Sequence, residues 1–473
     1  MNQNDAPIYQ ALINHKEKGT VSYHVPGHKN GYIFEESAQE VFQRILEIDV
    51  TELNGLDDLH AAEGPILHAE ELLADFYHAA NSYFLVNGST GGNLAMIMAV
   101  CEEGDTVLVQ RNCHKSIIHA LRLANVNPVF ITPSFNEVWG VAGGVKAEHI
   151  YKAIDMYPCA RALILTHPTY YGEAQSIRGV IEAAHNKEIP VLVDQAHGAH
   201  FGLPGFPESA VEAGADIVVH SAHKTLPAMT MGSYLHVNSK LVNKEELDYY
   251  LQVFQSSSPS YPIMASLDLA RVYLASFNHA DTEHLHNSIR KFRESLSRIP
   301  GLKVMENDDS LKVTLHSEQI PDGFQFQTVL EDYGIYTELA DTENVLLVIP
   351  LLKANMDYPF TETIDQINLA LNGKEMVKRS ASLPGFVNDH LFSTLSMNYK
   401  EMKKLPKRSV PFKESVGYVS AEMIIPYPPG IPLIMAGEMI TVEKVAYLEK
   451  LRNKGGRFHG GTVLSRGLLL VYG

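Results

Sequence analysis

Ser221-Ala222-His223-Lys224-Thr225, read together with Val191-Leu192-Val193-Asp194, decides the fold of this chain. Val191 to Val193 follow Pro190 as a short apolar run of β-branched character, the pattern of a buried strand. A strand of that kind in an α/β sheet delivers its last residue, Asp194, to the carboxyl edge where ligands bind. A second run, Asp216-Ile217-Val218-Val219-His220, delivers Ser221, His223 and Lys224 to the same edge. A carboxylate and a lysine, each on a strand end, are what a pyridoxal phosphate (PLP) site requires. The lysine amine forms a Schiff base with the aldehyde, and the carboxylate keeps the pyridine nitrogen protonated so that the ring accepts electrons. Taken singly, Asp194 reads as a helix cap and Lys224 as a solvated surface residue, so the rest of the chain has to decide.

Around these two runs the pattern alternates from Tyr83 to Val237. Candidate strands are Tyr83–Val86, Thr106–Val109, Pro128–Ile131, Ala162–Leu165, Val191–Val193, Ile217–Val219 and Ser233–Val237. Helical segments lie between them, among them Gly92–Cys101, Ser116–Ala124 and Ile177–Lys187. Strands alternating with helices predict an α/β domain around a mostly parallel, seven-stranded sheet. Before it, a helical pattern at Ile8, Leu12 and Ile13 leads into an irregular loop, His24-Val25-Pro26-Gly27-His28-Lys29. After it, the polar stretch Ser256-Ser257-Ser258-Pro259-Ser260-Tyr261-Pro262 opens a long helix from Ile263 to about Ser276, and a second helix runs to about residue 298. Short strands at Leu311–Leu315 and Val345–Ile349 flank a helix near Phe326–Asp332, a smaller α+β domain. The prolines of Glu422–Pro432 enforce an extended course. The expected division is 1–75 as an N-terminal arm and loop segment, 76–275 as the PLP-binding large domain, 276–375 as the small domain and 376–473 as the C-terminal domain.

At 473 residues the chain is too long for one core. Its 45% apolar and 20% charged residues are an ordinary globular balance. A formal net charge of −17 argues against nucleic acid as a partner and suits cationic ligands. Three cysteines, Cys101, Cys113 and Cys159, are no disulfide framework, which points to a reducing, cytoplasmic setting. The first residues lack an apolar signal core, and the apolar run Leu94–Cys101 is too short to span a bilayer.

Other strand ends carry compatible chemistry. Asn87-Gly88-Ser89-Thr90-Gly91-Gly92-Asn93 follows a strand and opens a helix, so backbone N–H groups, the helix N-terminus and the hydroxyls of Ser89 and Thr90 can hold an anion. Its spacing matches neither the Walker A motif nor the dinucleotide fingerprint, which leaves a monophosphate as the better fit. Arg111-Asn112-Cys113-His114-Lys115-Ser116 also follows a strand; His114 reads either as a ring-stacking imidazole or as a helix cap. His167-Pro168-Thr169-Tyr170-Tyr171-Gly172 lies at another strand end. Metal readings of His24 with His28, and of His197 with His200, fail on the intervening glycines and the lack of a third ligand. Each piece is ambiguous alone. Five strand ends bearing an anion cradle, a stacking group, polar residues, Asp194 and Lys224 in order are not.

With these motifs in place the chain resembles the PLP-dependent Orn/Lys/Arg decarboxylases of fold type I, short bacterial form. The resemblance is carried by the His24–Lys29 loop, Leu56-Asp57-Asp58-Leu59-His60, Asn87–Thr90, Arg111–Ser116, Asp194-Gln195-Ala196-His197-Gly198-Ala199-His200, Ser221–Lys224, Ser256–Pro262 and Tyr427–Pro432. It implies a PLP aldimine on Lys224, a pyridinium contact from Asp194, and ring stacking by His114. It also implies phosphate contacts from Ser89, Thr90, Gly91, Ser221 and His223, with His197 among the cofactor-binding residues. Gln195 departs from the acidic or small residue expected there. The chain also ends soon after Tyr472, from which a looser last domain is expected.

The implied reaction is decarboxylation of arginine or lysine, with ornithine behind, to the amine and CO2, feeding polyamine synthesis or acid consumption. His223 and Lys224 are both candidates for returning the proton to Cα. Glu422 is the candidate partner of the substrate's distal cation, with Asp49 and Glu52 as weaker options. The resemblance further implies a homodimer with an interface active site, in which Ser257 and Ser258 reach the partner's phosphate. Two other readings stay open: another fold-type-I enzyme such as an aminotransferase, and a non-catalytic regulatory relative.

Overall fold

The computed structural model describes residues 1–377, 390–427, 432–453 and 456–473. The chain divides into two units: Met1–Val100 with Pro190–Leu203 and Glu208–Asn278, and Cys101–Ile189 with Pro204–Pro207 and His279–Gly473.

In the first unit the strand order is Asn81–Leu85, Ser233–Val237, Ile217–His220, Val191–Asp194. The last two run parallel and place Asp194 opposite Val219. The outer pairs are antiparallel. Val191–Val193 and Ile217–Val219 are buried on both faces, which is why they read as unbroken apolar runs rather than alternating ones. Helix Gly88–Val100 lies against this sheet. At Gly92 a Cβ would come 2.6 Å from a Leu85 methyl and 3.0 Å from a Val219 methyl, so only glycine allows the helix to seat. Helix Pro65–Tyr77 and helix Tyr261–Ala275, which opens on Pro262, complete the unit.

In the second unit the order is Ala162–Thr166, Thr106–Gln110, Asn127–Ile131, Phe392–Thr394. The first three are parallel and the last is antiparallel. Among the described residues all seven expected strands are present, four in the first unit and three in the second, and Phe392–Thr394 adds a further strand beyond the seven. That strand has three residues, too few to show an apolar period. The smaller sheet is antiparallel, in the order Leu302–Val304, Lys312–Ser317, Val345–Val348, Leu339–Ala340, with helix Gly323–Asp332 beside it.

Near the end of the chain, Ile424–Tyr427 pairs with Arg457–Gly460, while positions 428–431 of the proline-rich stretch lie outside the described residues. The last strand, Leu468–Tyr472, pairs along its whole length with Lys407–Pro411, and Leu469 and Val471 are fully buried. Every residue of this strand is apolar, and Leu469, Val471 and Tyr472 are buried in the local core. No described helix is long and apolar enough to cross a membrane.

Candidate active site

Strand alternation points Asp194 to the face on which helix Gly88–Val100 lies. There the helix supplies Asn93, fully buried, whose Nδ2 donates to Asp194 Oδ2 at 2.9 Å. Ala196 N donates to Oδ1 at 3.1 Å. Asp194 is itself 2% exposed, so this carboxylate is held in one orientation by two donors rather than by solvent. Asn93 ends the glycine-rich turn, where local sequence alone assigns it no partner. The signal was its spacing: four residues after Ser89, it sits one turn further along a helix whose next residues are all apolar.

The short helix Ala222–Thr225 follows the strand Ile217–His220 and carries Lys224. Lys224 Nζ lies 3.0 Å from His197 Nε2, three residues past Asp194. The structure thus brings Lys224, His197, Asp194 and Asn93 together in one unit. His223 Nδ1 lies 2.9 Å from the carbonyl of Gly232. A carbonyl only accepts, so Nδ1 carries a proton and donates it to Gly232. Ser221 is buried, and its hydroxyl donates to Ser89 Oγ at 2.7 Å, beside the N-terminus of the Gly88–Val100 helix. Ser89 is half-buried and Thr90 exposed.

These residues fit PLP. Two hydroxyls from different elements converge on the start of a thirteen-residue helix whose first N–H groups have no partner within it, which suits a phosphate. A buried carboxylate that ends one strand, and an amine on the short helix that follows its parallel neighbour, suit the ring nitrogen and the aldehyde.

His114, in the second unit, is the N-cap of helix Lys115–Ala124, with Nδ1 accepting from Ser116 N at 3.3 Å and 2.8 Å from Ser116 Oγ. The capping reading is therefore realised, and it fixes the ring through Nδ1. Arg111, three residues earlier, is buried against Glu438, which also takes Lys444 Nζ at 2.9 Å. Burial alone would push the Glu438 carboxyl up, but Arg111 and Lys444 outweigh it and hold it at about 2. The sequence showed Arg111 within its motif but not this partner, which lies over three hundred residues later.

Glu422 accepts from Thr462 N at 2.9 Å, from Thr462 Oγ1 at 3.3 Å and from Leu470 N at 3.2 Å. Its carboxylate thus ties together the end of the C-terminal domain. Asp49 pairs with His28 Nε2 at 3.1 Å, and Glu52 accepts from Thr51 Oγ1 while its Oε1 is buried without a partner among the described residues. His24 Nδ1 is taken by the Val25 carbonyl at 2.6 Å, so the two loop histidines have separate partners.

The sequence profile of the Orn/Lys/Arg decarboxylase major domain matches residues 6–317, and that of the family's C-terminal domain matches residues 381–468. The chain is 44% identical to the uncharacterized protein YaaO of Bacillus subtilis, across 99% of this chain and 98% of that one. It is 32% identical to an arginine decarboxylase of the same species, across 96% and 95%. In structure it is similar to a lysine decarboxylase of Francisella novicida, with a TM-score of 0.81, 21% identity, and coverage of 99% of this chain and 81% of that one. The structural likeness shows the fold, that of PLP fold type I. Both domains of the profile and the full-length identity agree: the chain belongs to the Orn/Lys/Arg decarboxylase family, a family of decarboxylase enzymes.

Proposed function

We propose that this chain decarboxylates a basic amino acid with PLP held covalently through Lys224. The observation that carries the reading is the delivery of Lys224 and Asp194 by two neighbouring parallel strands, with Asp194 opposite Val219 in register. Bound PLP supplies an electron sink for the pair released when the Cα–carboxylate bond breaks.

The chain's own residues do the rest. Asp194, held in one orientation by Asn93 and Ala196, would set its carboxylate against the ring nitrogen. Ser89, Thr90, Gly91, Ser221 and His223 are the proposed phosphate group, and His114 the proposed stacking residue. His197 Nε2, 3.0 Å from Lys224 Nζ, is placed to orient that amine for the cofactor. For the proton returned to Cα, Lys224 is the better candidate: His223 has its Nδ1 proton committed to Gly232, and would need a second proton at Nε2 to act. Glu422 remains the proposed partner of the distal cation, though three donors already occupy its carboxylate. Glu52, with a buried unpartnered oxygen, is its competitor.

Arginine is the first substrate to test, because the 32%-identical relative is an arginine decarboxylase along nearly its whole length. Lysine follows, and ornithine after it. The amine product suits polyamine supply or acid consumption, and the three cysteines are free thiols, as a cytoplasmic setting requires. The working unit is a homodimer or higher homo-oligomer, in which the exposed Ser257 and Ser258 face the partner's site. Purified protein with PLP and each of the three amino acids, with CO2 and amine identified by mass, tests the reading. Amine with stoichiometric CO2 from one of them supports it. A keto acid product means an aminotransferase, and no turnover of any amino acid means a non-catalytic relative.

A further inference from the structure

On the face of the first unit's sheet opposite Asp194, four buried polar side chains form a continuous hydrogen-bonded row. Gln195 Oε1 meets His220 Nε2 at 2.9 Å, His220 Nδ1 meets His236 Nε2 at 3.1 Å, and His236 Nδ1 meets Ser82 Oγ at 2.8 Å. Gln195 and His220 are fully buried, His236 is 1% exposed and Ser82 3%. The row crosses all four strands of the unit. It starts at the residue after Asp194 and passes through the residue before Ser221.

With both rings neutral, as burial favours, the direction of every bond in the row follows from Gln195. Ala210 N donates to Gln195 Oε1 at 3.1 Å, and a backbone N–H cannot accept, so the amide oxygen and not the nitrogen faces this way. His220 therefore carries its proton on Nε2 and accepts on Nδ1. His236 must then carry its proton on Nε2 and accept on Nδ1, and the Ser82 hydroxyl donates. Both imidazoles are neutral. Burial pushes His220 well below the ordinary imidazole range, reinforced by His236 and His200, and burial brings His236 to about 3. The titratable groups packed on the row are Tyr77 from helix Pro65–Tyr77, Tyr234 on the adjoining strand, and His200 from the segment after Asp194.

Gln195 is costly in one respect. Its Nε2 is buried with no hydrogen-bond partner among the described residues. A glutamate would accept the same bonds from Ala210 and His220 and leave no orphaned amide. What the amide supplies instead is neutrality, one residue from the Asp194 carboxylate.

We propose that Gln195 is a positioning residue, which holds the Asp194 and Ser221–Lys224 chain ends together through an uncharged His220–His236–Ser82 row. A carboxylate at 195 favours a protonated His220. That requires a proton on His220 Nδ1, which reverses His236 and turns Ser82 from donor to acceptor. The row then carries an ion pair behind Asp194.

The test is nitrogen NMR of protein labelled with 15N-histidine, prepared with its cofactor, with His220→Gln and His236→Gln assigning the two signals. The expected wild-type result is two neutral rings protonated at Nε2 that do not titrate between about pH 5 and 8, against an ordinary imidazole near 6.5. In Gln195→Glu one ring is doubly protonated at pH 7, and the acid limb of the kcat profile moves by about one pH unit, with KM little changed. Gln195→Leu, which removes the acceptor, lowers kcat by up to about a hundredfold, the scale of a misplaced reacting group. A wild-type His220 protonated at Nδ1 overturns the proposal, whatever the variants do. So does a Gln195→Glu protein whose rings and pH profile match the wild type. The ring signals are read without substrate, so they stand or fall separately from the decarboxylase reading.

Discussion

Lys224 and Asn93 make opposite kinds of prediction. Lys224 Nζ lies within hydrogen-bond reach of His197 Nε2, and the proposed cofactor bond depends on this amine. Lys224→Ala is expected to lack the visible absorption band that borohydride bleaches. An absorbance spectrum before and after reduction checks this, and a variant that keeps a reducible band refutes the assignment. Asn93 touches neither substrate nor cofactor in the proposed arrangement; it acts through Asp194. Asn93→Ala removes a charge-assisted bond from a buried carboxylate, a loss of about 1.5–3 kcal/mol that falls on whichever state needs Asp194 ionised. The expected result is kcat about tenfold lower, or ~1.4 kcal/mol in the barrier, with KM within twofold. Unchanged kcat in Asn93→Ala would remove Asn93 from the account.

At the scale of elements, the seating of helix Gly88–Val100 decides whether Ser89 and Asn93 reach their partners. A methyl at Gly92 meets Leu85 and Val219 below contact distance, so Gly92→Ala should cost about 1–3 kcal/mol, visible as a lower urea midpoint. An unchanged midpoint would mean that the helix can lift without penalty. The second unit turns on Glu438. Its folded pKa lies below the ordinary carboxylate value, so its contribution is fully present above about pH 4.5 and is lost as pH falls toward about 2. Glu438→Gln leaves Arg111 and Lys444 as buried cations without a counter-charge, expected to cost about 3–5 kcal/mol at neutral pH. The difference from wild type should shrink as the pH is lowered through that window; denaturant titrations at several pH values check it, and a pH-independent difference counts against the triad. These two elements also mark what was legible in the sequence. The strands around Asp194 and Lys224 could be read because both faces are buried and the apolar runs are unbroken. The glycine-rich helix start could be read from local chemistry. Arg111–Glu438, the Gln195 row and the three-residue strand Phe392–Thr394 could not, because each depends on a partner distant in the chain that no local period announces.

For the whole molecule, the distribution of apolar side chains bears on assembly. In the first unit, helix Glu36–Leu46 buries only Leu46, while Val41 is 80% exposed and Phe42 and Ile45 are about half exposed. Tyr23 at 93% and Tyr32 at 87%, in the segment before that helix, extend the same character. Scattered exposed apolar residues are ordinary, but a run of this density within one segment marks a surface meant to be covered. The covering partner proposed above is a second copy of the chain. The net charge of −17 acts against that association, since two such chains repel, and the repulsion is screened by salt while apolar contact is not. Two outcomes follow for sedimentation velocity. The wild type should run as a dimer whose dissociation weakens as ionic strength rises, and Val41→Asp combined with Phe42→Asp should run as a monomer with an unchanged circular dichroism spectrum. If the Ser257–Ser258 segment also faces a partner's site, that monomer should lose activity although Lys224, Asp194 and His197 are untouched. A double variant that stays dimeric moves the interface elsewhere, and a monomer with full activity would separate catalysis from assembly altogether.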